Sequence, residues 1–325
     1  MSIPSLERLG ESLAIAPAAR SKRMLVIANP YATTMSDRLK HLVIYALQGR
    51  YEVEAQDTQR SGHAIELCRE AAREGYDVVV AFGGDGTVNE VASGLAGSQT
   101  PMAVLPGGAT NVYCRMLGIP NDVVDATEHL LRLADDFRPR QVDLGMAGGR
   151  AFTFAAGVGL DASVVERVDG HPLLKARLGA WYFSEAAVAT FLRRYVVRPP
   201  RLELEVDGRR LEGVSAFVQN GGPYTYFHKR PIHLVEDVGL DSGELGGVVL
   251  GRAGPLDVPP VMYRALSGRP RVTGHRRVHG FEHARELVVR SGDERPLPVQ
   301  VDGDYIGEHA EVGIRVAAGA LRLVA

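Results

Sequence analysis

Residues 82–90 read Phe82-Gly83-Gly84-Asp85-Gly86-Thr87-Val88-Asn89-Glu90, and they continue the apolar run DVVVAF at 77–82. Three glycines within four positions, after a strand and ahead of a helix predicted over about 87–96, let a backbone approach a phosphate without Cβ clashes. The helix would offer unpaired N–H groups and the positive end of its dipole to an anion. Asp85, held among these glycines, is placed to receive a proton or to hold a metal beside phosphates. The same residues would also serve as a tight strand-to-helix turn with Asp85 or Thr87 as a plain cap. Gly-Lys-Ser/Thr does not follow the glycines, so the stretch is not a Walker loop.

Outward from this turn, the first 120 residues alternate between two periods. Residues 24–28 (MLVIA) form a short apolar run ending at Asn29-Pro30, a buried strand followed by a turn. Helical spacing covers 36–48, a strand follows near 51–55, a helix near 62–74, and a strand at 102–105. Strands alternating with helices imply crossover connections and a mainly parallel sheet covered on both faces. Ligands of such sheets sit beyond the carboxyl ends of the strands. Three turns leave those ends, at 29–34, 83–87 and 106–111, and are expected to converge. The third, Pro106-Gly107-Gly108-Ala109-Thr110-Asn111, repeats the glycine logic one strand later. The first brings Asn29, Pro30, Thr33 and Thr34, whose amide and hydroxyls could bind phosphate or simply make turns.

Beyond about residue 140 the rhythm changes. Runs near 140–146, 151–156, 201–206, 213–219, 246–250, 286–290, 297–301 and 312–316 read as strands, with glycines between them and few helices. This is the pattern of a mostly antiparallel second domain. The predicted division is a poorly ordered tail at 1–22, an α/β domain at 23–140 rejoined by residues of about 311–325, and a β-rich domain at 141–310.

The bulk numbers fit a globular chain. Of 325 residues, 45% are hydrophobic and 23% charged, and the net charge of −2 gives no electrostatic case for nucleic acid. The two cysteines, Cys68 and Cys114, make no disulfide framework and suit a reducing compartment. No apolar run approaches the ~18 residues of a membrane-spanning helix. The protein is therefore read as cytoplasmic, meeting any membrane at its surface.

Residues 83–87 with Asn89-Glu90, then Pro106-Gly107-Gly108-Ala109-Thr110-Asn111 with Arg115, resemble the catalytic domain of the diacylglycerol-kinase/sphingosine-kinase superfamily. The likeness continues in order through Gly157-Val158-Gly159-Leu160-Asp161-Ala162, Pro223-Tyr224-Thr225-Tyr226, Asp241-Ser242-Gly243 and Val301-Asp302-Gly303-Asp304, so it spans roughly 23–320 and is closest to the soluble bacterial members. The resemblance implies a two-domain enzyme with its active site in the cleft. ATP would lie along Asn29, Pro30, Thr33, Gly83, Gly84, Gly86, Thr87, Glu90, Gly107, Gly108, Thr110 and Asn111. Mg²⁺ would serve the phosphates through Asp85 and Asp304, with Asp241 at a second site, and the γ-phosphoryl would pass to the hydroxyl of diacylglycerol. Asp302 is assigned as general base with Asp85 in the metal network, and the reverse assignment stays open. A homodimer and a lipid substrate met at the inner membrane face are further implications.

Two departures stand out. The late motif ends in Asp304 where the family has Glu, one methylene shorter, and Ser242 replaces the carboxylate expected before Gly243. Rival functions are a kinase of a sphingoid base, ceramide or other lipid alcohol, an NAD kinase, and a nucleotide-binding regulator without catalysis. Three further patterns are read conservatively. The G-x-G-x-x-A match at 157–162 lies past the α/β region and is not taken as a dinucleotide site. His275, His279 and His283 read as a solvated strand face and not as zinc ligands. The amphipathic stretch 172–194, with Trp181 and flanking arginines, could rest on a membrane or pack in a core, and core packing is favoured.

Overall fold

In a computed structural model, residues 22–32, 34–134, 136–169, 199–227, 230–236, 238–269 and 271–325 are described. The segment up to residue 21, expected as a tail, Thr33, and the amphipathic stretch 172–194 therefore lie outside the described residues. The chain divides into two compact units, one running to Arg140 and including Arg322–Ala325, the other Gln141–Leu321.

The first unit is built on four parallel strands, β1 (Lys22–Ala28), β2 (Tyr51–Asp57), β3 (Val78–Gly83) and β4 (Met102–Pro106), in the order β2-β1-β3-β4. Residues 24–28 are all buried because β1 has a neighbour on each side: Met24 pairs in register with Val53 and with Val78. The edge strand β2, YEVEAQD, keeps its acids and amides outward, which discourages further pairing along that side. Past β4, Leu323 pairs with Met102, and Val324 N donates to the Met102 carbonyl at 2.8 Å. Only Arg322–Ala325 count with this unit; residues 311–321, expected to return here, belong to the second.

Helices α1 (Asp37–Gln48), α2 (His63–Glu74), α3 (Asp85–Leu95), α4 (Val112–Met116) and α5 (Val123–Leu133) connect and cover these strands. Ser36 caps α1 by accepting from Leu39 N at 3.3 Å, and Asp122 caps α5 through Val124 N and Asp125 N. No side chain caps α3, whose N-cap is Gly84. The chain leaves β1 toward β2 and returns across it to β3, so the direction of winding reverses between β1 and β3. In open α/β sheets a ligand crevice lies at such a reversal.

Among its described residues the second unit holds two large antiparallel sheets. Strands β5 (Arg140–Ala147), β6 (Arg150–Phe152), β8 (Leu202–Val206), β9 (Arg209–Gly213), β15 (Glu286–Ser291) and β18 (Glu311–Leu323) make one, and Leu287 pairs with both Val206 and Ile314. The other is β14-β13-β10-β7-β16-β17, from β7 (Ala155–Val158), β10 (Ser215–Gln219), β13 (Leu245–Leu250), β14 (Val278–Ala284), β16 (Leu297–Val301) and β17 (Asp304–His309). Phe152, Leu204 and Leu287 from one sheet and Val249, Phe281 and Val299 from the other share a single core. A short ribbon, β11 (Thr225–Phe227) with β12 (Arg230–Ile232), stands apart. Among the described residues two helices interrupt the strands, α6 (Leu160–Asp169) and α7 (Val258–Ser267). The mixed α/β class, with a parallel sheet and a β-rich antiparallel portion, is as the sequence predicts.

Candidate active site

The three strand-end turns of the first unit do converge. Gly107 N donates to the Gly83 carbonyl at 2.8 Å, and Thr34 N donates to the Gly107 carbonyl at 3.1 Å. Asn29 N donates to the Phe82 carbonyl at 3.1 Å, and its side-chain amide reaches Thr87 Oγ1 at 3.4 Å. The Asn29 Oδ1 accepts from Tyr31 N at 2.9 Å, folding the first turn over its own side chain. Pro30 and Thr110 are exposed, and Thr33 lies outside the described residues.

The glycines owe much of their presence to this meeting. A Cβ on Gly107 would come within 2.9 Å of Gly83 Cα, and one on Gly108 within 2.7 Å of Gly84 Cα. These are backbone-to-backbone approaches that a methyl group cannot share. The turns therefore press on one another in two glycine pairs, a reason for glycine beyond ligand approach. Gly84 is less confined, since its added Cβ would meet Gly108 Cα at 3.3 Å.

Asp85 opens α3, and its Oδ1 accepts from Tyr113 N at 3.2 Å, at the start of α4. One backbone donor thus aims the carboxylate of the second turn using the helix that follows the third. Asn111, at φ 48°, closes its own turn: Oδ1 accepts from Gly108 N and Nδ2 donates to the Gly108 carbonyl, both at 2.8 Å. Glu90 faces elsewhere, accepting from Gly62 N at 2.8 Å and Ala64 N at 3.2 Å. It caps α2, whose own N-cap Gly62 has no side chain to offer.

In the second unit, Asp302 and Gly303 have φ of 49° and 86° and connect Val301 to Asp304 as a two-residue hairpin. The Asp302 side chain is buried, with four donors on it. Oδ2 accepts from Thr153 N at 2.6 Å and Thr153 Oγ1 at 2.8 Å, and Oδ1 accepts from Phe154 N and Ala155 N at 3.0 Å each. A carboxylate has about four lone-pair sites, and all are engaged. Asp304, on the far strand of the same hairpin, is half-buried.

Beside the hairpin lies a buried polar cluster that motif reading did not single out. Asp161 Oδ2 accepts from Tyr224 Oη at 2.5 Å and from Gln300 Nε2 at 2.6 Å. Gln300 Oε1 in turn accepts from Gly303 N at 2.8 Å. Burial pushes the Asp161 carboxyl above its ordinary range against the two hydrogen bonds that lower it. Burial also raises the Tyr224 hydroxyl, with the neighbouring Asp161 charge adding to it. The signal available in sequence was the placement of Asp161 and Tyr224 inside two separate motifs.

For magnesium, Asp85 suits an ion held mainly by substrate phosphates with one or two carboxylates. The turn at Asp241 does not suit one. Asp143, not Asp241, fastens it, with Oδ2 accepting from Gly243 N at 2.6 Å and Oδ1 from Gly319 N at 2.7 Å. Ser242 Oγ donates to the Gly239 carbonyl at 2.9 Å, while Asp241 is exposed. Among the described residues no three acid, histidine or cysteine side chains gather as a metal cluster. His279 and His283 lie on strand β14, and His283 Nδ1 meets Glu244 at 2.6 Å. The 157–162 segment does run from strand β7 into helix α6, but β7 pairs antiparallel with β10 and β16, unlike a dinucleotide unit. Among the described residues no helix is long and apolar enough to cross a membrane.

The family model for the diacylglycerol kinase catalytic domain matches residues 23–147, which hold all three converging turns. The chain is 28% identical to the diacylglycerol kinase of Bacillus subtilis (strain 168) over 299 residues, 88% of this chain and 91% of the relative. It is also 28% identical to the diacylglycerol kinase of Staphylococcus aureus (strain MRSA252), covering 88% of this chain and 87% of the relative. A crystal structure described as a putative diacylglycerol kinase from Bacillus anthracis shares the fold with a TM-score of 0.74 and 23% identity, over 95% of this chain and 98% of that one. The match to the diacylglycerol kinase catalytic domain thus covers residues 23–147, and likeness to relatives bearing the diacylglycerol kinase name extends over most of the chain.

Proposed function

We propose that this protein is an ATP-dependent lipid kinase that transfers the γ-phosphoryl group to the free hydroxyl of diacylglycerol, giving phosphatidate. The observation that carries it is the convergence of three strand-end turns where the winding of the sheet reverses, with the uncapped N-terminus of α3 among them. Relatives that bear the diacylglycerol kinase name along most of their length support this acceptor over a sphingoid base, ceramide or NAD.

The first unit is the nucleotide-binding part. The N-terminal turn of α3, which no side chain caps, presents its backbone to the phosphates. Thr87 accepts the Asn29 amide, which leaves its hydroxyl proton to donate to a phosphate oxygen. Asp85 is the residue that would hold a magnesium ion, which when bound spreads the charge developing on the phosphoryl oxygens. The lipid oxygen attacks the γ-phosphorus as the bond to the ADP oxygen breaks, and the hydroxyl proton passes to a carboxylate. The sequence reading gave that proton to Asp302. Its four hydrogen bonds favour a different division: Asp302 locks the hairpin, and Asp304 beside it accepts the proton. Asp241 takes no part.

The test is transfer of label from radiolabelled ATP, with Mg²⁺, to mixed micelles carrying diacylglycerol, sphingosine, ceramide or no lipid, with NAD⁺ as a soluble acceptor. Labelled phosphatidate as the dominant product, lost on Asp85→Asn, is expected. Tight ATP binding with no labelled product from any acceptor would instead mark a regulator without catalysis.

A further inference from the structure

Helix α7 is apolar on both faces. Val258 and Val261 pack against a core cluster that includes Ala265, so its inner side is accounted for. Its outer side and the turn before it expose Pro259, Pro260, Met262 at 47%, Tyr263 at 66% and Leu256 at 89%. A helix with apolar residues all round should be buried all round in a water-soluble fold. The prolines stand at its first turn, where a missing N–H is harmless, so the exposed face is held as a firm helix start.

Around this apolar face basic residues predominate. Positions 252–277 carry six arginines and one acid, Asp257, in a chain whose net charge is −2. Asp257 is buried, 3.8 Å from Arg252 and 3.9 Å from Arg277. Arg264 donates to the Arg271 carbonyl at 3.0 Å, and Arg271 itself pairs with Glu236. Arg269 and Arg276 are exposed at the same end. Contiguous exposed apolar surface rimmed by basic residues marks an interaction site. An apolar tip inside an arginine rim fits a bilayer interface bearing anionic headgroups.

We propose that Leu256 in the turn before α7 and Met262 and Tyr263 on it, with the surrounding arginines, form a docking surface for an anionic lipid bilayer. This surface deepens the lipid-kinase reading and rests on it, because a water-insoluble alcohol must be met at a membrane. The apolar side chains enter the headgroup boundary, while arginine stems lie along it with guanidinium groups on phosphates.

The experiment is co-sedimentation of the full chain with phosphatidylglycerol–phosphatidylcholine vesicles and with phosphatidylcholine alone. Wild type is expected to bind the anionic vesicles selectively. L256E/M262E and R269A/R276A should each weaken that binding roughly tenfold or more, the second pair also flattening its salt dependence. Burial raises the thiols of Cys68 and Cys114 and keeps them inert. A polarity-sensitive fluorophore on M262C would thus label selectively and should shift to the blue on anionic vesicles, a readout that does not depend on the double variants folding. Both double variants binding like wild type, or an unresponsive probe, would overturn the proposal. So would an altered oligomeric state with vesicle binding intact, which would make the face a contact between copies. Phosphorylation of diacylglycerol in neutral detergent micelles is read separately. Both variants should keep it, and its absence in wild type would defeat the lipid-kinase reading without touching the vesicle result.

Discussion

Gly108→Ala and Gly84→Ala separate two reasons for glycine at the paired turns. A methyl on Gly108 lies 2.7 Å from Gly84 Cα and 3.1 Å from Asn111 Oδ1, so main chain must move; a methyl on Gly84 meets Gly108 Cα at 3.3 Å, a gap that a few tenths of an ångström relieves. Gly84 has φ −85° and ψ −175°, extended backbone open to any residue, so conformation adds no cost there. Overpacking against backbone costs about 1–3 kcal/mol, which in a unit of this size lowers Tm by roughly 3–12 °C. Gly108→Ala should show that loss, while Gly84→Ala should stay within about 0.5 kcal/mol. Activity should order differently. Gly84 is the N-cap of α3, so its methyl intrudes on the phosphate side and should raise KM for ATP about tenfold while the fold is intact. Urea unfolding and steady-state kinetics in micelles give both numbers. A Gly108→Ala variant as stable as wild type would refute the claim that turn-on-turn packing demands glycine there.

Asp302→Asn should destabilise the protein by about 2–4 kcal/mol, because an amide group replaces one of two oxygens that each face two donors. Asp304→Asn should instead lower kcat with little change in unfolding, and an Asp302→Asn protein of wild-type stability that had lost kcat would return the proton-accepting role to Asp302. Glu90→Gln should cost about 1 kcal/mol through the weakened cap of α2 and leave KM for ATP within about twofold, measured by denaturation and kinetics together. Asp161 has a raised folded pKa, so its contribution is fully present below the ordinary aspartate range and is lost as pH rises through the raised value. D161N cannot titrate, and its stability relative to wild type should improve from acid to neutral pH; urea midpoints that keep a constant difference would contradict this.

The parallel sheet was legible because both of its signals are local. Runs such as MLVIA and DVVVAF are buried on two faces and stay continuous, and each ends in turn residues that mark the carboxyl edge. Convergence of the turns followed from parallel pairing, although their glycine-on-glycine contact joins residues twenty-four apart and leaves no local pattern. Glu90 was read with the phosphate turn because it is near in sequence; its partners, Gly62 and Ala64, come from a different helix. Helix α7 escaped notice for a related reason. Its apolar residues fall on both faces and two prolines open it, so helical periodicity is absent where it would have been counted. α6 was hidden behind a glycine pattern that drew attention to nucleotide binding.

Two Asp-Gly pairs show how much of a motif can be turn chemistry. Asp207-Gly208 joins β8 to β9 with φ of 49° and 71°, and Asp302-Gly303 joins β16 to β17 with φ of 49° and 86°. Asp-Gly is favoured at both places because the two-residue hairpin needs two positive φ values. Backbone demand alone would thus place aspartate and glycine at 302 and 303 in a protein with no chemistry there. What differs is the side chain: Asp207 is exposed, whereas Asp302 is buried under Thr153, Phe154 and Ala155, with its own N–H returned to the Ala155 carbonyl at 2.8 Å. A hairpin needs no such clasp to form, as the first pair demonstrates. The clasp fixes the turn that carries Asp304, two residues on, and Gln300 holds the same turn from the other side through Gly303 N. Two independent restraints on one exposed glycine turn are more than folding requires, and they are intelligible if the carboxylate they position must meet a substrate.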